Sequence, residues 1–399
     1  MKLIYKEMCM RKNMKKNILI LATNKYWPGI SRLPAGLKRA GFQTYALCPR
    51  GSFLSYTNFL EGSIFFPTLT YSRSKIFYVL TLFSIFWFKP DFIIPGDEEA
   101  ILVMQNLRKL LRRFNVFSKI FSILDRSLPS ADYDNMLFSK AQLMSNSEKW
   151  NVSVPKNIAV KNEIQLLAAA EKIGYPVVLK IDAGYGGAGV HICETESELI
   201  QKFKDEKKHS LIQKIKFKFK DLFFVTIFKQ NSGISVQHFL NLERGHCSFV
   251  AMNGLKLANN AMVTLASHPG RTGPSSVSAG INNSDIKAFA KKIISEIKYS
   301  GFGSFDYMYD REKNKIYIIE LNARPTPWAH YSSEIVSNDL CQILFDHLNK
   351  NEMKINPFKD YTIALYPNEK KRDPNSAYLK SAYHDIPAND ERLKKALDS

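Results

Sequence analysis

The sequence of 399 residues lacks the features of a disulfide-stabilised or membrane-spanning protein. Its five cysteines lie far apart, with no CxxC pair and no histidine at metal-ligand spacing. Neither a disulfide framework nor a zinc site is therefore expected. The most apolar stretch, 76–88, is bounded by lysines and is shorter than the roughly 20 residues that span a bilayer. We predict a reduced, cytosolic protein without a transmembrane helix.

Nucleotide-binding motifs of fixed glycine spacing are also missing, and negative charge is in deficit. No GxGxxG follows the first apolar run, and no glycine-rich stretch ends in Gly-Lys-Ser/Thr, which argues against dinucleotide and P-loop sites. Lysine and arginine number 56 against 37 aspartates and glutamates, a formal net charge of +19. This excess favours a polyanionic partner without choosing among nucleic acid, a membrane surface and a phosphorylated substrate. Because no nucleic-acid reader motif accompanies the lysines, we expect no nucleic-acid partner.

The first third of the chain alternates strand-like and helix-like patterns. Buried strands are predicted at 17–22, 43–47 and 91–95. Helices are predicted at 31–40 and 98–111. Strands that alternate with helices predict a parallel sheet, whose ligands usually bind beyond the carboxyl ends of the strands. We assign 14–125 to this domain and expect residues 1–13 to be a disordered lead or an upstream start-site artefact.

A glycine-rich loop follows a predicted strand in the middle of the chain. The strand at 175–181 is apolar up to its lysine, and the loop after it holds four glycines: Gly184, Gly186, Gly187 and Gly189. Bare backbone N–H groups in such a loop can approach phosphate oxygens closely. On its own, the pattern favours an ordinary tight hairpin over a phosphate site.

Two predicted antiparallel strands, at 302–309 and 315–321, carry a cluster of oxygen ligands. Glu320 and Asn322 share one face, which Asp306 on the neighbouring strand can join. Carboxylate and amide oxygens suit Mg²⁺, which commonly completes its coordination with water and substrate phosphates. The cluster predicts a magnesium site with a nucleotide companion, although a solvated hairpin fits the Asp–Glu pair alone equally well.

Together, the glycine loop and this hairpin resemble the ATP-grasp superfamily, the fold of carboxylate-amine ligases such as D-alanine:D-alanine ligase, biotin carboxylase and the large subunit of carbamoyl-phosphate synthase. The most specific segments are 175–190 and Ile-Ile-Glu-Leu-Asn-Ala-Arg-Pro at 318–325. The resemblance implies an α/β chain whose N-terminal parallel-sheet, Rossmann-like domain precedes a two-subdomain α+β ATP-grasp domain. We expect that domain at 126–350, with a small lid subdomain at about 175–240, and a C-terminal extension at 351–399.

The resemblance also implies how the phosphates of ATP would be held. The first ATP lysine of the family corresponds to Lys140, where Ser139 replaces the family's aspartate, and the second corresponds to Lys180. Both would lie along the phosphates as compact positive charges. The glycine loop would close over the phosphates as a lid.

The adenine hinge of the family resembles four consecutive residues: Gln237, His238, Phe239 and Leu240. Gln237 replaces a glutamate, but its amide oxygen can still accept a hydrogen bond from the adenine amino group. Backbone groups of His238 and Leu240 would read the edge of the ring. Arg244 stands where the family has a ribose-binding glutamate, so Glu243 is the candidate if the intervening turn is one residue shorter.

The remaining family positions concern catalysis. Asp306, Glu320 and Asn322 correspond to the metal ligands, and Arg324 to the arginine that steadies the acyl phosphate or the transferred phosphoryl group. Arg271 lies in a Gly/Pro loop that would border the acceptor site, where it would clamp the substrate carboxylate; an ordinary surface arginine fits it equally. The implied enzyme is an ATP-dependent carboxylate-amine ligase that uses Mg²⁺, with Mn²⁺ as a substitute. Its substrates are ATP, a small carboxylate and a nucleophilic acceptor.

A basic insert at 201–229 separates the glycine loop from the hinge. At 214–220 lysine alternates with Ile and Phe, which is a strand period, yet the region also fits a basic amphipathic helix of the kind that binds membrane surfaces. We favour a solvated element of the lid subdomain and leave a peripheral membrane contact open. The alternative function is an ATP-grasp protein that binds nucleotide at a membrane surface without turnover. The sequence assigns no oligomeric state.

Overall fold

The N-terminal region forms a parallel sheet between two helical layers. The computed structural model describes residues 15–67, 75–114, 117–138, 140–147, 149–181, 189–221 and 233–399, so the lead at 1–13 lies outside it. The N-terminal elements are β1 Asn17–Leu21, α1 Leu33–Ala40, β2 Gln43–Pro49, α2 Phe53–Tyr56, β3 Gly62–Phe66, α3 Lys75–Phe88, β4 Phe92–Pro95, α4 Glu98–Leu111 and α5 Ser118–Arg126. The strands are all parallel, in the order β3-β2-β1-β4. The predicted parallel sheet is confirmed.

Alternate side chains of β1 face the two helical layers. Leu19 and Leu21 pack in one core with α3, α4 and α5, whereas Ile18 and Ile20 pack in a second core with α1. This is the pattern of a strand buried on both faces. Gly41 ends α1 with a φ of +106°, a conformation that favours glycine.

A second, antiparallel sheet follows a short helix and forms the small subdomain. Its elements are α6 Lys140–Ser145, β5 Asn157–Val160, α7 Glu163–Ile173, β6 Val177–Ile181, β7 Val190–Cys193, α8 Glu196–Asp221 and β8 Ile234–His238, with strand order β5-β8-β6-β7. The basic insert is helical as far as Asp221, so the strand alternative is wrong for that part, and 222–229 lie outside the described residues.

The largest sheet has seven strands and includes the C-terminal segment. Its region comprises β9 Glu243–Met252, β10 Leu255–Ser267, β11 Ser275–Gly280, α9 Ser284–Glu296, β12 Gly301–Asp310, β13 Lys315–Asn322, α10 Leu340–Asn349, β14 Thr362–Ala364, α11 Asn368–Arg372, α12 Tyr378–Ser381, β15 Tyr383–His384 and α13 Glu391–Asp398. The strand order is β13-β12-β9-β10-β11-β14-β15, antiparallel except for the pair β14–β15.

The N-terminal sheet and the seven-stranded sheet share a core, and polar contacts join the C-terminal segment to the N-terminal domain. Phe92 of β4 packs in the same cluster as Phe302 of β12. Asp385 is buried and lies 3.0 Å from Arg32 Nη2, while buried Asp390 accepts a hydrogen bond of 2.6 Å from Thr57. No helix in the described ranges is long and apolar enough to cross a membrane.

Candidate functional site

One cavity of about 710 Å³ brings together residues from the N-terminal domain, the small subdomain and the seven-stranded sheet. Its walls come from the small sheet, from the seven-stranded sheet, from the loop after β1, from the first turn of α4 and from the C-terminal helices. Nine of the residues predicted from the sequence line it: Lys180, Gln237, Phe239, Leu240, Arg271, Asp306, Glu320, Asn322 and Arg324. A volume of this size is in the range of ligand pockets.

The predicted metal ligands lie on the neighbouring strands β12 and β13. Asp306 is directly opposite Glu320 in the ladder, and two positions along it Ser304 is opposite Asn322. The amide of Asn322 donates a hydrogen bond of 3.1 Å to Asp306. Burial, and after it the charge of Glu320, raises the pKa of Asp306 to about 6. Two carboxylates held this close repel each other, which a divalent cation between them would relieve.

The cluster holds too few protein ligands to form a closed metal site. Across the described ranges, no group of three or more His, Cys, Asp or Glu side chains could hold a metal ion. Mg²⁺ commonly binds through one or two carboxylates together with water and substrate phosphates. The donor set of Asp306, Glu320 and Asn322 therefore fits a magnesium ion that arrives with a nucleotide.

Arg324 is buried at the junction between the N-terminal domain and the large sheet. Its Nε donates a hydrogen bond of 2.7 Å to Glu98 Oε1, and its guanidinium lies 4.8 Å from the ring centre of Trp27. Burial is the largest single influence and lowers the pKa of Arg324, but the carboxylates led by Glu98 outweigh it and hold that pKa above its usual value. Arg324 therefore remains a cation although its side chain is buried.

A buried aspartate sets the positions of Trp27 and Glu98. Asp97 caps α4 by accepting a hydrogen bond of 2.9 Å from Ala100 N–H, and it also accepts from Thr23 Oγ1 at 2.9 Å and from Asn24 N–H at 3.0 Å. These bonds join the loop after β1 to the first turn of α4. The sequence analysis did not identify Asp97, although an aspartate before a helical pattern is the usual sign of an N-cap.

The hinge end of the cavity carries a buried acceptor. Gln237 is 4% exposed, and its Oε1 has no hydrogen-bond partner among the residues that the structure describes. Apolar side chains of Val178 and Ile192 line the same end. The N–H of His238 donates to Lys156 O at 2.8 Å and so belongs to the sheet. An amide oxygen in an apolar slot suits a ligand with an amino group on a flat ring.

Glu243 and Arg244 lie on opposite sides of β9. Glu243 is paired with Arg311 at 2.8 Å and 2.9 Å and is absent from the cavity lining, whereas Arg244 lines the cavity. Arg244 donates hydrogen bonds of 2.7 Å and 2.9 Å to the carbonyls of Arg271 and Gly273. A ribose contact by Glu243 stays a prediction, and its side chain would first have to leave Arg311.

Arg271 lies near the hinge. Its Nη2 donates a hydrogen bond of 2.6 Å to Asn241, and its guanidinium is 5.8 Å from the ring centre of Phe239. These contacts bring the loop that carries Arg271 to the hinge end of the cavity. The proposed clamp on the substrate carboxylate stays a prediction.

The remaining predicted phosphate contacts fall largely outside the described residues. Gly184, Gly186 and Gly187 lie within 182–188, and the side chain of Lys140 is not described, although its backbone begins α6. Gly189 has a φ of +74°, and a Cβ there would lie 3.0 Å from Ile181. The strands on either side of the glycine loop, β6 and β7, are paired with each other.

His246 is a cavity residue that the sequence analysis missed. It lies opposite Asp306 in the ladder between β9 and β12, and its ring centre is 4.6 Å from that of Trp328. Burial, and then the charge of Arg244, lowers the pKa of His246 to about 3. The imidazole is therefore neutral at physiological pH and suits a hydrogen bond better than a charge contact. No motif in the sequence marked this position.

A protein-family model matches two segments of the chain that contain most of the predicted site residues. Residues 139–254 and 267–344 match the family model described as "Carbamoyl-phosphate synthase L chain, ATP binding domain". Biotin carboxylase 1 of Bacillus subtilis is 23% identical over 176 residues, which are 41% of this chain and 35% of that protein. Carbamoyl-phosphate synthase of Methanobrevibacter smithii is 22% identical over 205 residues, which are 50% of this chain and 49% of that protein. The chain thus spans half or less of these curated relatives.

Solved structures match over a larger part of the chain. N5-carboxyaminoimidazole synthetase from Staphylococcus aureus, complexed with ADP, has a TM-score of 0.61 at 17% identity and covers 88% of this chain and 83% of its own. Biotin carboxylase from Campylobacter jejuni, in a complex with β-γ-ATP, has a TM-score of 0.62 at 17% identity, with 86% and 74% covered. At these identities the likeness establishes the fold.

Proposed function

The chain belongs to the ATP-grasp superfamily, and we propose that it is an ATP-dependent ligase that phosphorylates a carboxylate and couples the acyl phosphate to an amine or a similar nucleophile. ADP and phosphate would be the other products. The observation that carries the proposal is the single cavity that contains the Asp306–Glu320–Asn322 cluster, buried Arg324 and the hinge glutamine Gln237.

The cavity supports one orientation of ATP. The amide oxygen of Gln237 would accept from the adenine amino group, and the phosphates would extend toward Asp306 and Glu320. Lys180 is 6% exposed on β6, where a cation would lie along the phosphates. The neighbouring solved structures were determined with MgADP, ADP or ATP in their complexes, which supports ATP and Mg²⁺ as the ligands here.

Asp306, Glu320 and Asn322 would hold the magnesium ion, and Mn²⁺ would suit the same oxygen donors. A divalent cation in this position neutralises charge on the phosphates and on the two carboxylates. Burial, and after it the charge of Glu320, raises the pKa of Asp306, and a cation bound beside both carboxylates would offset these effects, which supports this assignment.

Arg324 would stabilise the transferred phosphoryl group. A carboxylate oxygen attacks the γ-phosphorus, the bond to the ADP oxygen breaks, and the negative charge on the equatorial oxygens meets the guanidinium. The amine then attacks the acyl carbon, the C–O bond to phosphate breaks, and the amine loses its proton. Glu98 and Trp27 both contact Arg324 and would position it in advance, so the guanidinium would need little reorganisation during the transfer.

The proposal is tested by ADP release. Amino acids and other carboxylates, each with ATP, Mg²⁺ and an amine, should include at least one set that stimulates ADP formation by the natural chain. The Glu320→Ala variant should lose that stimulation. ATP binding without substrate-stimulated ADP release across a broad screen would instead support a nucleotide-binding protein without turnover.

A second candidate property, peripheral binding to an anionic membrane, is favoured by the outer face of α3. Five large apolar side chains on this helix are between 47% and 70% exposed: Ile76, Val79, Phe83, Phe86 and Trp87. Exposed Lys89 follows the helix directly, and the adjacent α5 carries exposed Lys119 and Arg126. Exposed patches of this kind commonly mark interaction sites.

The flanking charges select an anionic membrane over a second copy of the chain. Two copies that met through this face would bring their own lysines and arginines together, which is unfavourable. A negatively charged bilayer would attract those cations and accept the aromatic rings at its interface. Flotation with vesicles that contain phosphatidylglycerol, compared with phosphatidylcholine alone, tests this proposal; equal partitioning would remove it.

A further inference from the structure

We infer that the part of the cavity beside Arg324 is a subsite for the apolar body of the carboxylate substrate, which we identify as an acid with an aromatic or branched aliphatic group. The inference rests on the proposed ligase function and deepens it. It is carried by three separate segments of the chain that meet there and by the chemistry of their side chains.

The first wall comes from the N-terminal domain. Trp27 lies over the guanidinium of Arg324, and Phe53 at the start of α2 lines the same cavity. The Phe53 N–H donates a hydrogen bond of 3.2 Å to the carbonyl of Lys25, so α2 is attached to the loop that carries Trp27. The two aromatic rings therefore belong to one locally connected surface.

The second wall comes from the C-terminal segment. Leu365, Pro367 and Leu397 line the cavity, and Leu397 packs in a cluster with Tyr366 and Leu393 against Phe53. The two walls therefore meet at Phe53, and both line the cavity that also contains Arg324 and Glu98.

Hydrogen bonds hold the second, C-terminal wall in position. Lys371 donates a hydrogen bond of 3.4 Å to the carbonyl of Leu397, which joins α11 to α13. Thr57, directly after α2, donates to Asp390 at the start of α13. The subsite is therefore formed before a substrate binds, which lowers the cost of binding.

The chemistry of the walls selects the substrate class. The carboxylate that is phosphorylated must lie near Arg324 and the metal ligands, so the rest of the acid extends toward the apolar walls. A one-carbon or two-carbon acid would leave the rings of Trp27 and Phe53 in contact with water. An aromatic or branched aliphatic group would remove that apolar surface from water and bind more tightly.

The test compares acids of different bodies in the ADP-release assay with the full chain. Bicarbonate and acetate represent short acids, and 3-phenylpropionate, phenylalanine and leucine represent the proposed class. We expect at least one acid of the second group to have the lower KM. Phe53→Ala should raise the KM for that acid by about 10-fold or more and leave the KM for acetate unchanged. Phe65→Ala is the matched control, because Phe65 is 40% exposed on β3 and is not a lining residue.

Two outcomes would overturn the inference. If bicarbonate or acetate has the lowest KM and Phe53→Ala changes no KM, the subsite is wrong while the ligase function stands. If no acid supports ADP release, thermal-shift titration with 3-phenylpropionate decides: stabilisation that Phe53→Ala removes and Phe65→Ala retains supports the subsite without the ligase reaction. The absence of such stabilisation rejects the subsite. Should Phe53→Ala fail to fold, Phe53→Leu keeps the side chain apolar and serves as the smaller change.

Discussion

Replacing Glu369 by glutamine should loosen the C-terminal wall of the cavity. Glu369 is 0% exposed on α11 and accepts a hydrogen bond of 2.7 Å from Ser276 on β11. Arg372 donates to both of its oxygens, at 2.8 Å and 2.6 Å, and Ser376 donates a further bond. This carboxylate is therefore the point at which α11 and the segment after it are attached to the seven-stranded sheet.

The expected loss follows from these contacts. Removing one member of a buried ion pair costs about 3–5 kcal/mol when the other charge cannot reach water. Arg372 is 30% exposed, so part of its charge can be hydrated, and we expect Glu369→Gln to lower the free energy of unfolding by about 3 kcal/mol, at the low end of that range. Glutamine keeps one acceptor oxygen, but its NH₂ group faces donors.

The difference in the free energy of unfolding between the natural chain and Glu369→Gln should depend on pH. Burial is the largest influence and raises the pKa of Glu369, but hydrogen bonds from Arg372, Ser376 and Ser276 outweigh it and lower that pKa below its ordinary value of 4.5. A carboxyl group with a lowered pKa contributes stability above its unfolded pKa, and this contribution is lost as the pH falls through the folded value. The advantage of the natural protein should be complete at pH 7 and shrink below pH 4.5.

Guanidinium unfolding of both proteins at pH 7 and at acidic pH measures this effect. Glu391→Gln is the control, because Glu391 is 71% exposed and its ion pair with Lys394 is as long as 4.0 Å. The stability of Glu391→Gln should match that of the natural chain. Glu369→Gln should also raise the KM for the carboxylate while ATP binding is retained. Equal stability of Glu369→Gln and Glu391→Gln at pH 7 would refute the role assigned to this carboxylate.

Three further predictions address the nucleotide, the phosphoryl group and the surface. Arg324→Lys should lower kcat by about 100-fold or more with little change in ATP affinity, because lysine cannot both bind Glu98 and meet the phosphoryl oxygens; unchanged turnover would contradict that role. Gln237→Leu should weaken ATP binding by about 10-fold in calorimetry, whereas Gln237→Glu should retain it. Equal ATP affinities of the two variants would exclude a contact between Gln237 and the adenine. The double variant Phe86→Ser, Trp87→Ser should lower the fraction of protein bound to anionic vesicles by about 10-fold or more without loss of stability. Equal flotation of the variant and the natural chain would reject α3 as the membrane-binding surface.

The parts of the site that lie on one hairpin were predictable from the sequence. Asp306, Glu320 and Asn322 stand on two strands joined by a short turn, so alternation along each strand decides which side chains share a face. The structure has this ladder, with Asp306 opposite Glu320. Local periodicity likewise predicted α4, whose bounds agree with the expected 98–111.

Contacts between distant segments were not predictable in the same way. Trp27 contacts Arg324, which lies 297 residues later in the chain. No local sequence pattern predicts a contact between residues so far apart in sequence. Position 244 shows a related difficulty, because a one-residue shift along β9 exchanges the side chain that faces the cavity. Arg244 faces it, while Glu243 is paired with Arg311.

Arg324 makes the N-terminal domain a structural part of the proposed reaction centre. A buried guanidinium needs compensating groups, and Glu98 and Trp27 both belong to that domain. Asp97 holds these two segments together through its bonds to Ala100 and to the loop after β1. The charge that would stabilise phosphoryl transfer is thus positioned by elements outside the segments that match the ATP-binding family model. Because the same loop also forms one wall of the proposed subsite, a substrate that displaces Trp27 would disturb Arg324, and this links the choice of carboxylate to the transfer step.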